Sequence, residues 1–233
     1  MTRARLAIIG DGKMGLAVRD LAADSGFEVV AFIGEGEVAV AGLTKAQLQG
    51  ADVAIEFTVP AAAEANVRAC AAAGVPVVCG TTGWDDRLAA VKRDVGESGG
   101  TLLWSPNFSL GVHLFAKIVE RAAAEIAVMP GVFDAHFVET HHVGKKDAPS
   151  GTARLLEALA RTRLGSAIPI TSIRTGHVPG THEFVLDGQF EQVTLRHEAR
   201  DRRVFAAGAL AAARWLIGRN GVFTMDDMFG GSK

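Results

Sequence analysis

The chain has 233 residues, of which 48% are apolar and 21% charged, and its formal net charge is −2. That composition supplies a core and excludes a disordered chain. The balance of 24 basic against 26 acidic side chains lacks the footprint of a nucleic-acid or membrane-surface binder. No apolar run reaches the ~18 residues of a membrane span. Met1-Thr2-Arg3-Ala4-Arg5 leads into a run too short for a secretory leader, so the expected compartment is the cytoplasm. The two cysteines, Cys70 and Cys79, have apolar surroundings and no CxxC spacing, and are expected to be reduced and buried.

Residues 5–10 form a continuous apolar run, of the kind buried on both faces of a parallel sheet. A glycine-rich turn follows, then helical spacing over 16–25 that stops at Gly26. Strand-type runs at 27–33, 52–57, 75–79 and 101–104 alternate with helical stretches at 44–50, 60–74 and 85–97. The alternation predicts right-handed crossovers and a Rossmann-like doubly wound parallel sheet. After Pro106 the rhythm breaks. A helix near 111–127 and one leaving Thr152 are interspersed with strand-like runs at 133–139, 168–174, 182–187 and 190–197. The last two are expected to pair antiparallel about Asp187-Gly188. The fold class is therefore α/β with a second, α+β domain containing a mixed sheet. A helix over 206–219 and a tail end the chain.

Gly10-Asp11-Gly12-Lys13-Met14-Gly15 fits G-x-G-x-x-G between a strand and a helix. The glycines permit a tight turn and let a pyrophosphate approach the helix N-terminus, so these six residues are expected to hold a dinucleotide. Glu35, after the second strand, is placed to bind the adenosine ribose, and Lys13 either reaches a 2′-phosphate or is solvated. NADH and NADPH are both admitted. Gly80-Thr81-Thr82-Gly83 follows the fourth strand, at the sheet edge where ligands bind. Ser105-Pro106-Asn107-Phe108 breaks the chain after the fifth strand, with Asn107 or Phe108 placed near a nicotinamide. For both strings a plain turn is the open alternative. Phe57, which closes the third strand, joins the cofactor set.

The most polar stretch is Glu139-Thr140-His141-His142-Val143-Gly144-Lys145-Lys146-Asp147-Ala148-Pro149-Ser150-Gly151. Two adjacent imidazoles, two ammonium groups and a helix start at Ser150-Gly151-Thr152 suit it to hold a small anion and give it a proton. A solvated loop is the bland alternative. His136, His177 and His182 are read as structural or exposed, and His197 as a strand-face residue able to line a pocket. No His or Cys spacing with a carboxylate suggests a metal, and none is expected.

Taken together these strings resemble dihydrodipicolinate reductase, also called 4-hydroxy-tetrahydrodipicolinate reductase, over nearly the whole chain. The most specific part, Glu139 to Ala153, is similar to the family's E-x-H-H-x-x-K-x-D-x-P-S-G-T-A signature. The resemblance implies a cytoplasmic NAD(P)H-dependent reductase of lysine biosynthesis acting on a small dicarboxylate. It implies a nucleotide domain from residues 1–107 plus 211–233, and a substrate and oligomerisation domain at 108–210 that builds a homotetramer. It implies His141 as the proton-transfer residue and Lys145 as a second donor. His142, Lys145, Ser150, Gly151, Thr152 and Thr82 would contact substrate. Gly80, Thr81, Thr82 and Ser105 to Phe108 would contact nicotinamide. Two departures stand out: Val143 replaces a frequent arginine, and the chain is short after the second strand. Another Rossmann-type imine reductase and a non-catalytic dinucleotide sensor are the rival readings.

Overall fold

The structure is a computed structural model that describes residues 2–34 and 42–230. The chain divides into two compact units, one formed by Met1–Ser109 with Arg203–Lys233 and the other by Leu110–Arg202. These divisions lie within a few residues of the expected 107/108 boundary and somewhat before the expected 210/211 one.

The first unit opens with β1 (Ala4–Ile9), α1 (Lys13–Ala22) and β2 (Phe27–Ile33). It continues through β3 (Val53–Glu56), α2 (Pro60–Ala73), β4 (Val77–Cys79), α3 (Asp85–Glu97) and β5 (Thr101–Trp104). The second unit follows as α4 (Leu110–Ile126), β6 (Phe133–His141), α5 (Gly151–Leu164), β7 (Ile170–Arg174), β8 (Thr181–Gly188) and β9 (Gln192–Glu198). The chain then completes the first unit with α6 (Arg203–Leu216), β10 (Gly221–Phe223) and α7 (Met225–Met228).

The first unit's sheet is parallel throughout, in the order β10-β5-β4-β3-β1-β2. Its central strands are covered on both faces: Leu6 to Ile9 and Val53 to Glu56 are fully buried. That double burial is the reason those runs are apolar without alternation. The chain leaves β1 toward β2 on one side and returns to β3 on the other, which makes the carboxyl end of β1 and β3 the topological switch point. α2 starts on Pro60, tolerated where the first amide has no helical partner, and stops on left-handed Gly74.

Two expectations are corrected here. Residues 45–50 are successive turns, not a helix. Gln47 N–H donates to Thr44 O and Gln49 N–H to Ala46 O, both 3.2 Å, and the run stops at Gln49 and Gly50, each with positive φ. So short a segment cannot offset the cost of helix nucleation. The supposed tail contains β10, a sixth strand too short for its own period to be read, and α7, whose capping box joins Thr224 and Asp227. α1 also begins at Lys13, inside the glycine motif and earlier than its apolar spacing suggests.

In the second unit the sheet order is β7-β6-β8-β9, parallel between β6 and β7 and antiparallel elsewhere. The expected hairpin is present, with Asp187 paired to Gln192. α4 and α5 cover one face around Phe115, Val119, Leu156, Phe137 and Phe184. Phe137 and Phe184, cross-strand partners, stack at 4.6 Å. Alternation places Glu139 and His141 on that same helix-covered face, one and two steps beyond Phe137.

Candidate active site

In the first unit a cavity of about 360 Å³ opens at the switch point, lined by Gly10, Gly12, Gly34, Phe57, Thr58 and Asn66 among others. The three motif glycines do separable jobs. A Cβ on Gly10, at φ +110°, would stand 2.0 Å from the Phe57 carbonyl oxygen, and one on Gly15 would stand 1.9 Å from the Gly10 oxygen. Gly12 has open space where its Cβ would be. Two glycines therefore let the backbone pack, and the middle one leaves room for a ligand. The cavity also receives Asn66, 1% exposed, whose Nδ2 lies 3.4 Å from buried Glu56 and whose Oδ1 meets no protein donor. The open space over Gly12, at the N-terminus of α1, fits the phosphate of a dinucleotide. Asn66 is absent from the sequence reading, because a single amide inside an alanine-rich helix carries no motif. Glu35 lies outside the described residues. Lys13 is exposed on the first turn of α1, and Asp11 sits against Gly34.

The other expected cofactor residues carry structural duties. Thr81 is 5% exposed, its hydroxyl accepts from Thr58 N–H at 2.8 Å, and its carbonyl accepts from the indoles of Trp84 and Trp104. Gly80 is needed because a Cβ there would collide with the Phe57 ring, 2.0 Å from Cε1. Thr82 is exposed beside them. Ser105 caps its own turn on Asn107 O at 2.7 Å, and the Asn107 amide oxygen accepts from Ser109 N–H at 2.8 Å as α4 begins. Phe108 is 2% exposed and meets Phe57 edge-on at 5.9 Å, and its carbonyl would lie 1.7 Å from a Cβ on Gly208. Both cysteines are buried and free; Cys79 donates to Glu56 at 3.0 Å, and burial, then Glu56, push its thiol well above the usual range.

In the second unit the signature stretch folds back on the end of the sheet. Glu139, His141, Ser150 and His182 are all buried. Nδ1 of His141 pairs with Glu139 Oε2, and Arg174, from the end of β7, donates to Glu139 Oε1 at 2.7 Å and to the Asp147 carbonyl at 2.6 Å. Ser150 caps α5 by accepting from Ala153 N–H at 3.1 Å; its hydroxyl lies 3.2 Å from His182 Nε2, and its own N–H donates to Glu139. Lys145 holds Asp147 at 2.8 Å. His142 begins the loop, its ring against Gly144. Gly151 has open space around its α-carbon, and Val143 is 68% exposed, its N–H bonded to Gly176 O.

The electrostatics follow from burial and partners. Burial would raise the Glu139 carboxyl, but Arg174 and His141 override it and hold it at about 2. Burial pushes His141 below its ordinary value, with Lys145 and Arg174 acting in the same direction and Glu139 opposing them. His182 is lowered to about 4 by burial, then by His141 and His197. Of the two readings of His182, structural or exposed, burial excludes the second: its ring stands 5.2 Å from that of His141 inside the cluster. Arg174 is also absent from the sequence reading. Among the described residues, Glu139, His141 and His182 bring ligand-type atoms within 4.8 Å of one another. A guanidinium already on Glu139 makes this donor set an acid–base network more than a cation cage.

The wound sheet with its cavity at the strand-order reversal places the chain in the class of Rossmann-type dinucleotide-binding folds, here with a second α+β unit. Two family models match, "Dihydrodipicolinate reductase, N-terminus" over residues 4–108 and "Dihydrodipicolinate reductase, C-terminus" over 111–229. The chain belongs to the dihydrodipicolinate reductase family. It is similar to the 4-hydroxy-tetrahydrodipicolinate reductase of Natronomonas pharaonis, 44% identical over 74% of this chain and 75% of the relative. The protein of that name from Christiangramia forsetii is 33% identical over 96% of each chain. A solved dipicolinate-bound dihydrodipicolinate reductase from Paenisporosarcina sp. TG-14 shares the fold, with a TM-score of 0.78 over 95% of this chain and 97% of that one at 24% identity. Among the described residues no helix is long and apolar enough to cross a membrane.

Proposed function

We propose that the chain reduces 4-hydroxy-tetrahydrodipicolinate to tetrahydrodipicolinate with NADH or NADPH, as a cytoplasmic homotetramer in lysine biosynthesis. The observation that carries the reading is the buried Glu139–His141 pair beside the N-terminus of α5, in a chain of this family. Residues 10–15, Phe57, 80–82 and 105–108 hold the cofactor, which supplies a hydride. Ser150, Gly151 and Thr152 offer amides and hydroxyls to a substrate carboxylate at a helix start, and His142 and Lys145 add donors from the loop. Hydride addition to a ring carbon conjugated with an imine leaves an electron-rich neighbouring carbon, and His141 protonates it. For this purpose Lys145 must leave Asp147 or share it. The sheet face away from α4 and α5, where Ile173 is 41% exposed, supplies the surface for assembly.

The test is oxidation of NADH or NADPH with substrate generated in situ from pyruvate and aspartate semialdehyde. Wild-type protein turns over, and His141→Gln loses about 10²-fold in kcat, the low end for a removed acid–base group. Turnover only with other cyclic imines, or none at all, would replace this reading by one of its rivals.

A further inference from the structure

Glu139 is 1% exposed, and donors from three elements converge on it. Its Oε1 accepts from Arg174 of β7 at 2.7 Å and from the Ser150 amide before α5 at 3.3 Å, and its Oε2 faces Nδ1 of His141 along β6. Arg174 is fixed in turn on the Asp147 carbonyl at 2.6 Å. A carboxylate this buried stays ionised only when so surrounded. The opposite nitrogen of His141, Nε2, is turned toward Gly180. A Cβ there would stand 3.0 Å from it, and φ of +157° keeps the position to glycine. One nitrogen of the ring is thus anchored, and the other faces a position that carries no side chain.

We propose that Glu139, clamped by Arg174, is a positioning residue that keeps the His141 proton on Nδ1 and so commits Nε2 to delivering the proton to the substrate ring. This rests on the acid role proposed for His141. An imidazole's two nitrogens are distinguished by what the other one bonds. As the hydride from the reduced nicotinamide arrives, the Nε2–H bond of the imidazolium breaks and a C–H bond forms at the neighbouring ring carbon. The ring is left neutral with its remaining proton on Nδ1, shared with Glu139, and regains the other from solvent. Without the carboxylate either nitrogen can carry the proton of the neutral ring, and the charged ring loses its nearest anion. Lys145 from the loop and Arg174 from β7 disfavour the charged form of His141, and His141 in turn disfavours that of His182 from β8, whose ring stands 5.2 Å away. Glu139 is the group among these that opposes them.

Selective ¹⁵N-histidine labelling tests the hold without any substitution, with His141→Gln serving to assign the signal. The neutral His141 ring is expected to carry its proton on Nδ1 alone. A proton on Nε2, or two tautomers in exchange, overturns the proposal whether or not His141 proves to be the acid. Glu139→Gln should then mix the tautomers, lower kcat 10- to 100-fold, and move the basic limb of the kcat profile roughly one pH unit downward. Substrate KM should stay within about twofold. Glu139→Asp keeps an anion for Arg174, and hence the fold, but is one methylene short of His141, so it should show the same loss. A folded variant of either kind with the wild-type limb and wild-type tautomer reduces Glu139 to a structural clamp. If instead His141→Gln keeps its kcat, the acid role falls, while the tautomer measurement still decides what Glu139 does to the ring.

Discussion

At the scale of single residues, the glycine motif separates binding from folding. Gly12 meets nothing within 4 Å of a built Cβ, whereas Gly15 would meet backbone at 1.9 Å. Gly12→Val should melt like the wild type and weaken dinucleotide binding at least tenfold by calorimetry. Gly15→Ala should lower the melting temperature before any binding defect can be read. If Gly12→Val binds normally, the pyrophosphate does not pass over this turn. The buried imidazoles make a second prediction, about acid. His182 is lowered from 6.5 to about 4, so its contribution is complete above pH 6.5 and is lost as the unfolded chain takes up a proton that the folded one refuses. At 1.36 kcal/mol per unit, His182 alone withdraws about 3 kcal/mol by pH 4. Glu139, depressed to about 2, adds stability above the unfolded carboxyl range that disappears as pH falls through that value. Both trends run the same way. Urea unfolding should therefore show stability falling from pH 7 to pH 4, with a shallower fall in His182→Gln; a flat profile between 7 and 5 would contradict the burial argument.

At the scale of elements, α5 is tied to the sheet through its cap. Ser150→Ala removes the acceptor for Ala153 N–H and the partner of His182 together. It should cost about 1 kcal/mol of stability, as lost caps do, and weaken competition by pyridine-2,6-dicarboxylate. Unchanged inhibition would move the carboxylate site away from this helix start. The wound sheet is legible in the sequence because strands buried on both faces must be apolar throughout, and Pro60 and Gly74 mark where α2 starts and stops. The second unit is legible only in part. Its hairpin is announced by Asp187-Gly188, and pairing Asp187 with Gln192 carries His182 opposite His197; the separate register of β6 on β8 sets Glu139 opposite His182. Those partners follow from register, and the sequence reading, without a register, sets His182 aside. Arg174 enters from a parallel strand across a helical crossover, and no local pattern reports such a pairing. β10 escapes notice for another reason: three residues carry too little alternation to stand out from a turn.

At the scale of the molecule, one unit is continuous and the other is not. Leu110–Arg202 builds its sheet and both covering helices from consecutive residues, whereas the wound sheet waits for segments from beyond residue 202. Local closure is faster than distant closure. Pulse-labelled hydrogen exchange during refolding should protect β6 and β8 before β5; simultaneous protection would show the two units fold as one.

The pairing of Thr101 with Gly221 has a consequence at the ribosome. Until β10 emerges, β5 is the open border of a hydrophobic parallel sheet, a ready template for another chain. At ~5–20 residues per second, the 221 − 101 = 120 residues between these partners take roughly 6–24 s to synthesise. A nascent chain is exposed for that interval, and one whose translation stops before residue 221 is exposed permanently. Messages truncated there should yield aggregated or chaperone-bound product, whereas truncation after 230 should yield protein that stays in solution.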